Sequence, residues 1–259
     1  MPNFEKDNLR LNYQVEGAEG APALILSNSL GTTLDMWAPQ MPALLKHFRV
    51  IRYDTRGHGQ SSVTPGPYTM AQLGADVIAL MDHLKIDRAH FCGLSMGGMI
   101  GMWLGANHPE RFNSLVLCNT AAKIGAPELW NARIAKVDSE GMASIVQAVL
   151  DRWFTPAFLQ KAPKEIETVR QMLLDTAPAG YTANCAAVRD MDQREGLGGI
   201  TVPTLVIGGT QDLATPTQDS KLVAERIPGA RYVELDAAHL SNWEKVDEFT
   251  GHLVDFLTR

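Results

Sequence analysis

The stretch from residue 89 to residue 107 constrains the fold more than any other part of the sequence. A short apolar run at 89–92 meets the pentapeptide Gly-Leu-Ser-Met-Gly at 93–97, and an apolar segment compatible with a helix continues to 107. This order predicts a strand, a tight turn and a helix, with Ser95 exposed at the bend. The glycines at both ends of the pentapeptide lack Cβ atoms, so the strand and helix backbones can approach each other closely.

The pentapeptide is informative because of its position. With Gly and Ser each at roughly 7% of residues, the pattern Gly-x-Ser-x-Gly occurs by chance in about one chain in ten of this size. Between a strand and a helix, however, it is the arrangement that presents a nucleophilic serine. There the backbone N–H of Met96 would point toward a developing oxyanion, and the helix dipole would add to its effect. The alternative is a glycine-rich turn with an incidental serine.

Strand-like and helix-like segments alternate along most of the chain. The predicted strands are residues 9–16, 23–26, 49–53, 89–92, 114–119, 203–208 and 231–235. The predicted helices of the same parts of the chain are residues 34–48, 69–84, 96–107 and 242–257. Such alternation predicts a mainly parallel sheet with helices on both faces. Apolar and polar residues alternate along 9–16, which is typical of a half-exposed edge strand.

The alternation stops between about residues 120 and 197. Helical patterns cover 128–137, 142–153, 165–175 and 181–191, with no convincing strand among them. Pro156 and Pro163 mark two helix starts. We interpret this all-helical insertion as a cap over the strand ends. The expected division is a core of residues 1–120 and 198–259 and a cap of residues 121–197.

Composition and charge exclude several classes of partner. The chain has 259 residues, a formal net charge of −6 and no cluster of Lys and Arg, so nucleic acids and anionic membranes are poor partners. No apolar run approaches the ~18 residues of a membrane span, and residues 1–7 lack the features of a secretory signal. Cys92, Cys118 and Cys185 are odd in number, which indicates buried free thiols in a reducing compartment. The missing signal and the free thiols together predict a cytoplasmic protein. We expect no metal or cofactor, because no metal-ligand spacing such as His-Glu-x-x-His is present.

A nucleophilic serine needs a general base, and the base needs an acid that orients it. Asp212 and His239 each follow a predicted strand, at the sheet edge where ligands bind in parallel sheets. Asn119 follows another strand but cannot supply the charge, and Asp236 is expected to be a solvated residue at a strand end. We therefore predict that Ser95 is the nucleophile, His239 the base and Asp212 the orienting acid, an order known for serine nucleophiles on such sheets.

Three stretches resemble the α/β-hydrolase superfamily, and the similarity extends over nearly the full chain. They are Asn-Ser-Leu-Gly-Thr-Thr-Leu-Asp-Met-Trp at 28–37, Tyr-Asp-Thr-Arg-Gly-His-Gly-Gln-Ser at 53–61 and Gly-Leu-Ser-Met-Gly-Gly-Met-Ile-Gly at 93–101. The second and third are shared widely across the superfamily. The first has Asn-Ser where many relatives have His-Gly, and this form resembles the 3-oxoadipate enol-lactonases of aromatic-compound breakdown.

The resemblance implies an α/β-hydrolase fold, with a mainly parallel eight-stranded sheet, helices on both faces and an all-helical cap insertion. It implies that Ser95 opens a lactone ring to an acyl-enzyme, and that water activated by His239 then releases 3-oxoadipate. In such enzymes the residue that matches Leu30 supplies a second oxyanion N–H, beside that of Met96. The loop around Arg56 would brace the site rather than act in it.

The lactone of this family carries a free carboxylate, which in a chain of net charge −6 requires a local cation or donor in the cap. Arg133, one helical turn from Trp130, is the first candidate, because a guanidinium can donate two parallel hydrogen bonds to a carboxylate. Arg152 and Arg189 are alternatives, and a solvated arginine on a cap helix is the simpler interpretation of each. The residues expected either in the pocket wall or in the cap core are Trp130, Trp153 and Met191.

Other functions share most of these features. A carboxylesterase for small acyl groups, or a cofactor-free perhydrolase or haloperoxidase, would use the same three residues and differ in its cap contacts. A small-lactone receptor would bind a similar ligand, with hydrolysis incidental to a signal. A dehalogenase with an aspartate nucleophile is excluded, because position 95 is serine. The expected partner is a small anionic lactone, and the oligomeric state stays open.

Overall fold

One eight-stranded sheet runs through the computed structural model, which describes residues 3–6 and 8–259. The strands are β1 (Asn3–Lys6), β2 (Leu9–Glu16), β3 (Ala23–Ser27), β4 (Arg49–Tyr53), β5 (Ala89–Leu94), β6 (Phe112–Cys118), β7 (Thr204–Gly209) and β8 (Arg231–Leu235). Their order across the sheet is β1-β2-β4-β3-β5-β6-β7-β8. The pairs β1–β2 and β2–β4 are antiparallel, and every other neighbouring pair is parallel. The predicted mainly parallel sheet is confirmed.

The prediction that residues 9–16 form an edge strand is wrong. β1 pairs with this strand on one side and β4 pairs with it on the other. No pattern in the sequence predicts β1, because it spans four residues and is too short to show a periodicity. β1 is the outermost strand at this end of the sheet, and its Phe4 side chain is buried in the hydrophobic core.

Helices connect the strands and cover the sheet. Within the described residues the α-helices are α1 (Met41–Leu44), α2 (Met70–His83), α3 (Met96–Asn107), α4 (Pro127–Glu140), α5 (Ala143–Trp153), α6 (Pro156–Lys161), α7 (Pro163–Asp175), α8 (Pro178–Asp190), α9 (Thr217–Arg226), α10 (Ser241–Glu244) and α11 (Val246–Leu257). Short 3-10 helices occur at Leu34–Gln40, Pro109–Arg111 and Leu197–Gly199. α3 packs against β5 and β6, and α9 packs against β7. Both helices therefore support strands that precede predicted site residues, β5 before Ser95 and β7 before Asp212.

Two predicted helices are interrupted. The predicted helix 34–48 is a 3-10 helix followed by the single turn α1, because Pro39 and Pro42 lack the N–H that an α-helix needs. The predicted helix 242–257 is divided into α10 and α11 at Lys245, whose backbone (φ −128°, ψ 54°) is not helical. The predicted helix beginning at Thr69 is confirmed as α2, and the Thr69 side chain accepts a hydrogen bond from the N–H of Gln72.

Between β6 and β7 the described chain forms five α-helices and no strand. α4 packs against α5 and α8, and α5 packs against α7. The four predicted helical patterns are confirmed as α4, α5, α7 and α8, and Pro156 and Pro163 are confirmed as helix starts. Pro156 predicts where α6 begins, although no periodicity predicts its length, because α6 has no fully buried residue. No pattern predicts α9, which buries only Ser220 and Val223.

The three cysteines are buried free thiols, as predicted. Cys92 Sγ and Cys118 Sγ lie 3.9 Å apart on the neighbouring strands β5 and β6, and burial raises the pKa of the Cys118 thiol. No helix in the described part of the chain is long and apolar enough to cross a membrane. In the same residues no group of three or more His, Cys, Asp and Glu side chains could hold a metal ion.

Candidate active site

Ser95 lies at a strained bend between β5 and α3. Its backbone (φ 57°, ψ −116°) is in a region that residues other than glycine rarely adopt, a conformation that costs on the order of 1–3 kcal/mol. A side chain at Gly93 would collide with the carbonyl of Gly97, and one at Gly97 would collide with the carbonyl of Ser27. Both glycines are therefore required where β5, α3 and β3 meet. Ser95 lines a cavity at this edge of the sheet.

Hydrogen bonds orient the peptide group between Ser95 and Met96. The Ser95 carbonyl accepts one from the N–H of Met99 at 3.0 Å and one from Thr120 Oγ1 at 2.8 Å. In a planar trans peptide the N–H points opposite to the carbonyl, so the N–H of Met96 is directed away from the body of α3. Met96 lines the same cavity as Ser95. The predicted oxyanion donor Met96 and the predicted nucleophile Ser95 therefore border the same cavity.

The peptide group between Ser29 and Leu30 is held in a similar way. The Ser29 carbonyl accepts hydrogen bonds from the N–H of Thr32 at 3.1 Å and from Thr32 Oγ1 at 2.8 Å. The N–H of Leu30 therefore points the opposite way, and both Ser29 and Leu30 line the cavity. The loops after β3 and β5 are joined to each other, because the Asn28 carbonyl accepts the N–H of Gly97 at 3.0 Å.

Asp212 and His239 are hydrogen-bonded to each other beyond the ends of β7 and β8. Asp212 Oδ2 and His239 Nδ1 are 2.9 Å apart, and both side chains are almost completely buried. Because the carboxylate accepts this bond, Nδ1 carries the ring proton and Nε2 of the neutral ring is left as an acceptor. His239 lines the same cavity as Ser95. Trp153 from α5 packs beside the imidazole, with 5.7 Å between the ring centroids.

Four further donors surround the Asp212 carboxylate. Oδ1 accepts from the N–H groups of Ala214 at 2.8 Å and Thr215 at 2.9 Å. Oδ2 accepts from Thr215 Oγ1 at 2.8 Å and from Asn119 Nδ2 at 3.0 Å. Burial raises the pKa of the Asp212 carboxyl, but the charge and hydrogen bond of His239 and these donors lower it by more. The pKa therefore lies below its ordinary value, and the carboxylate stays ionised beside the histidine.

Asn119 and Thr215 are site residues that the sequence analysis missed. Asn119 directly follows β6, where an amide cannot supply the charge of the orienting acid. Its side-chain N–H group donates to Asp212 and to the Ala238 carbonyl at 3.2 Å. Its side-chain oxygen accepts from Ser241 Oγ at 2.6 Å, so it ties the loops after β6, β7 and β8 together. The available signal was a polar residue directly after a buried strand. For Thr215 the signal was its spacing of three residues from an aspartate, which suits a local side-chain-to-backbone bond.

A cavity of about 360 Å³ lies between the strand ends and the inserted helices. The core residues that line it include Ser29, Leu30, Ser95, Met96, Leu213, Asp219 and His239, and the insertion contributes Trp130, Arg133, Val149, Arg152, Trp153, Tyr181 and Val188. The structure thus brings the predicted nucleophile, base, oxyanion donors and three substrate-contact candidates to one space. Asp212 stands behind His239, out of contact with the cavity.

Two arginines line the cavity wall contributed by the insertion. The Arg133 guanidinium lies over the Trp130 ring, 5.1 Å from its centroid, and Arg152 donates to the Leu213 carbonyl at 2.6 Å. Partial burial and the nearby positive charge of Arg133 lower the pKa of Arg152, which places both guanidinium groups within electrostatic reach of each other. Among the described residues no ion pair includes either of them. Two cations therefore face a largely apolar space without a carboxylate bound to them.

Two predicted alternatives lie outside the cavity. Arg189 pairs with Asp190 at 2.7 Å and donates to Asn131 Oδ1 at 2.8 Å, so its guanidinium is already engaged at the surface. Met191 is buried in the insertion, where its sulfur accepts from Gln193 Nε2 at 3.6 Å. The suggestion of Arg189 as the cation is therefore wrong, and Met191 belongs to the core of the insertion.

Comparison with known proteins shows the family of this chain. The family model described as the alpha/beta hydrolase fold matches residues 22–246. The chain is 45% identical to 3-oxoadipate enol-lactonase 2 of Acinetobacter baylyi, over 98% of this chain and 97% of that protein. It is 51% identical to the crystal structure of the enol-lactonase from Burkholderia xenovorans LB400, with a TM-score of 0.98 and full coverage of both chains. A thermophilic esterase from Thermogutta terrifontis is 30% identical, with a TM-score of 0.90 over 96% of this chain and 93% of that chain. The chain belongs to the α/β-hydrolase fold family.

Proposed function

We propose that this chain is a serine hydrolase of carboxylic esters that opens 3-oxoadipate enol-lactone to 3-oxoadipate. The observation that carries the proposal is a single cavity that joins Ser95 and His239 to Arg133 and Arg152, two cations without a carboxylate partner among the described residues. The substrate offers an ester carbonyl to the serine and a carboxylate to an arginine. The names of the relatives from Acinetobacter baylyi and Burkholderia xenovorans support the same reaction.

In the acylation step Ser95 Oγ attacks the lactone carbonyl while His239 Nε2 takes the hydroxyl proton. The N–H groups of Leu30 and Met96 donate to the oxyanion, and the Asp212 carboxylate stabilises the imidazolium. Collapse of the tetrahedral intermediate breaks the bond between the carbonyl carbon and the ring oxygen. The histidine returns its proton to the departing enol oxygen, and the enol then rearranges to a ketone.

The acyl-enzyme is hydrolysed by the same groups. Water adds to the ester carbonyl while His239 takes one of its protons, and the oxyanion again accepts from the N–H groups of Leu30 and Met96. The bond to Ser95 Oγ then breaks, and the proton held by the histidine returns to the serine. The product leaves as 3-oxoadipate, which carries one more carboxylate than the lactone.

Residues 121–197 form the cap in this proposal, and they supply the contacts that select the substrate. Arg133 receives the substrate carboxylate, because this residue lines the cavity and no described carboxylate pairs with it. The Arg133 guanidinium stacks over the Trp130 ring, and Trp153 forms the cavity wall beside His239. An unpaired carboxylate would lose its water on entering such an apolar space, so a matched cation is required.

A carboxylesterase for small uncharged esters is the second candidate. It is supported by the apolar part of the lining, which includes Met99, Val149 and Val188, and by the likeness to an esterase. Such an enzyme would use the same nucleophile and base but would not need Arg133. A perhydrolase would use them also, and a lactone receptor would turn over slowly.

The proposal extends to the cytoplasm as the place of the reaction. Cys92 and Cys118 are adjacent but unbonded thiols, which is typical of a reducing compartment. Cell fractionation with an antibody to the chain tests this, and recovery in a secreted fraction would contradict it.

Steady-state kinetics on two substrates test the proposed function. The wild-type chain should turn over the enol-lactone with a much higher kcat/KM than an uncharged aryl acetate. Arg133→Ala should lower kcat/KM for the enol-lactone by about 30- to 1000-fold, which corresponds to the roughly 2–4 kcal/mol for losing one partner of a buried charge pair. It should leave aryl acetate hydrolysis almost unchanged, because that substrate has no carboxylate.

Arg189→Ala is the matched control, since this arginine lies on the adjacent helix α8 but outside the cavity. It should leave both rates unchanged. A higher kcat/KM for the aryl acetate than for the enol-lactone would favour the esterase instead. Equal losses on both substrates in Arg133→Ala would mean that this arginine supports the cap rather than the substrate.

A further inference from the structure

The loop that carries Leu30 is held by a buried histidine from a different loop. The N–H of Gly31, the residue that follows Leu30, donates to His58 Nε2 at 2.8 Å. His58 is 1% exposed and does not line the cavity, so it touches neither the substrate nor the nucleophile. The catalytic steps described above make no use of this side chain.

The hydrogen bonds of His58 determine which ring nitrogen carries the proton. Because Nε2 accepts from Gly31, the proton of the neutral ring is on Nδ1, which lies 3.3 Å from the Arg56 carbonyl. The same carbonyl accepts from Asn184 Nδ2 of α8 at 2.8 Å. Burial lowers the pKa of His58 to about 4, so the ring is neutral near pH 7. A protonated ring would present a second N–H to Gly31 and could not accept.

The peptide group held by His58 is one that could otherwise rotate. It lies between Leu30 and Gly31, and the backbone of Gly31 has a φ of +84°, in the region that favours glycine. Thr176 Oγ1 of the inserted segment donates to the Met172 carbonyl at 2.8 Å and lies 3.2 Å from the Gly31 carbonyl, so the next peptide group contacts the insertion. The peptide group before Leu30 is held through the Ser29 carbonyl, as described above. Leu30 thus stands between anchored peptide groups.

We propose that His58 is a positioning residue that keeps the N–H of Leu30 aimed at the oxyanion. The inference rests on the proposed function, in which the N–H of Leu30 is an oxyanion donor. Without an acceptor at position 58, the N–H of Gly31 would be buried without a partner, and the peptide group would rotate to find one. That rotation changes ψ of Leu30 and φ of Gly31. The N–H of Leu30 belongs to the preceding peptide group, so it loses its direction as the loop around Leu30 relaxes to fit the rotated neighbour.

Two substitutions at position 58 separate the acceptor from the rest of the ring. His58→Asn keeps a donor near the position of Nδ1 but cannot reach Gly31, whereas the longer His58→Gln can place an oxygen near the position of Nε2. We expect His58→Asn to lower kcat for the enol-lactone by about 10- to 100-fold, less than the 10²- to 10³-fold for outright loss of an oxyanion donor. KM should change by less than about threefold, because the interaction is made in the transition state. His58→Gln should restore most of kcat.

Binding of two ligands provides a readout that a merely structural role would not move. A phenylboronic acid, which forms a tetrahedral adduct with the serine, should bind His58→Asn more weakly by the same factor as the loss of kcat. Adipate, which offers carboxylates but no electrophile, should bind as it does to the wild type. His90→Asn is the matched control, because this half-buried histidine bonds to Ser114 Oγ at the far end of β5. It should leave kcat and boronate binding unchanged.

Wild-type kcat in His58→Asn would overturn the proposal, as would parallel losses of boronate and adipate binding. If His58→Asn does not fold, His58→Gln decides, since a Gln variant that folds but lacks kcat would also overturn it. Ser95→Ala distinguishes this inference from the proposed function. If Ser95→Ala is inactive while His58→Asn is normal, only the role of His58 is wrong. If Ser95→Ala keeps its rate, the proposed function is wrong.

Discussion

At the scale of single residues, the orientation of the His239 ring depends on the donors that surround the Asp212 carboxylate. Ala214, Thr215 and Asn119 all donate to this carboxylate, so the acid can offer its histidine only an acceptor. An ionised, fully bonded acid fixes the imidazole with its proton on Nδ1 and its basic nitrogen free. The tautomer of the base is therefore fixed by Asp212, which does not line the cavity.

Asp212→Asn should leave the fold intact and lower kcat by roughly 10⁴-fold, the reference value for a buried acid in this role. The reason is that an amide can donate to Nδ1 and so favours the wrong tautomer. Asp236→Asn is the control, because Asp236 directly follows β8, the strand that leads to His239, but is exposed and accepts from Thr210 and Gln211. It should stay within about twofold of the wild type, and a loss below tenfold in Asp212→Asn would point to another acid.

At the scale of elements, the site exists because α3 starts in contact with the end of β3. The N–H of Gly97 donates to the Asn28 carbonyl at 3.0 Å, and no side chain fits between Gly97 and Ser27. This contact brings the loop that holds Leu30 beside the helix that holds Met96. Both proposed oxyanion donors therefore depend on the closeness of one helix and one strand.

Gly97→Ala should lower the free energy of unfolding by about 1–3 kcal/mol, because the added methyl group overpacks this junction. The matched control is Gly251→Ala in α11, where an added Cβ meets no atom within 4 Å. That change should raise the free energy of unfolding by about 0.4–1 kcal/mol, since alanine loses less backbone entropy than glycine. Urea unfolding of both variants measures the two changes in the free energy of unfolding. A Gly97→Ala variant that is stabilised, as Gly251→Ala should be, would contradict the close approach at Gly97.

At the scale of the whole molecule, the buried histidine His58 makes stability depend on pH. Burial lowers its pKa to about 4 in the folded state, against about 6.5 in an unfolded chain. Between these values the unfolded chain binds the proton and the folded chain does not, so acid favours unfolding. The stabilising contribution is complete above about pH 6.5 and is lost progressively as the pH falls toward 4.

His58→Gln removes this titration and keeps the hydrogen bond to Gly31, so it isolates the contribution. From about pH 7.5 to about pH 5, the wild type should lose about 2 kcal/mol more free energy of unfolding than His58→Gln. Urea unfolding at both pH values measures the difference. Other groups, such as Asp219 and Glu244, whose pKa values burial raises, contribute equally to both proteins and cancel. Identical slopes with pH would show that folding does not lower the pKa of His58.

The sequence by itself determined the features that depend on neighbouring residues. Apolar periodicity and the glycines around Ser95 predict the bend, and the alternation of segments predicts the parallel sheet. In such a sheet the carboxyl ends of the strands meet at one edge, so chain order alone places Asp212 and His239 near Ser95. Proline positions at the starts of α6 and α7 are equally local. Each of these predictions needs only backbone geometry and the hydrophobic effect.

The tertiary structure alone decided which side chains meet across the chain. Asn119 reaches Asp212 over 93 positions, and His58 reaches Gly31 over 27. Arg133 and Arg189 stand on adjacent helices of the insertion, yet only the first lines the cavity. A hydrogen bond of this kind depends on the distance and angle between packed elements, which no local pattern encodes. Packing therefore determined how the site is held, whereas the local sequence determined where it lies.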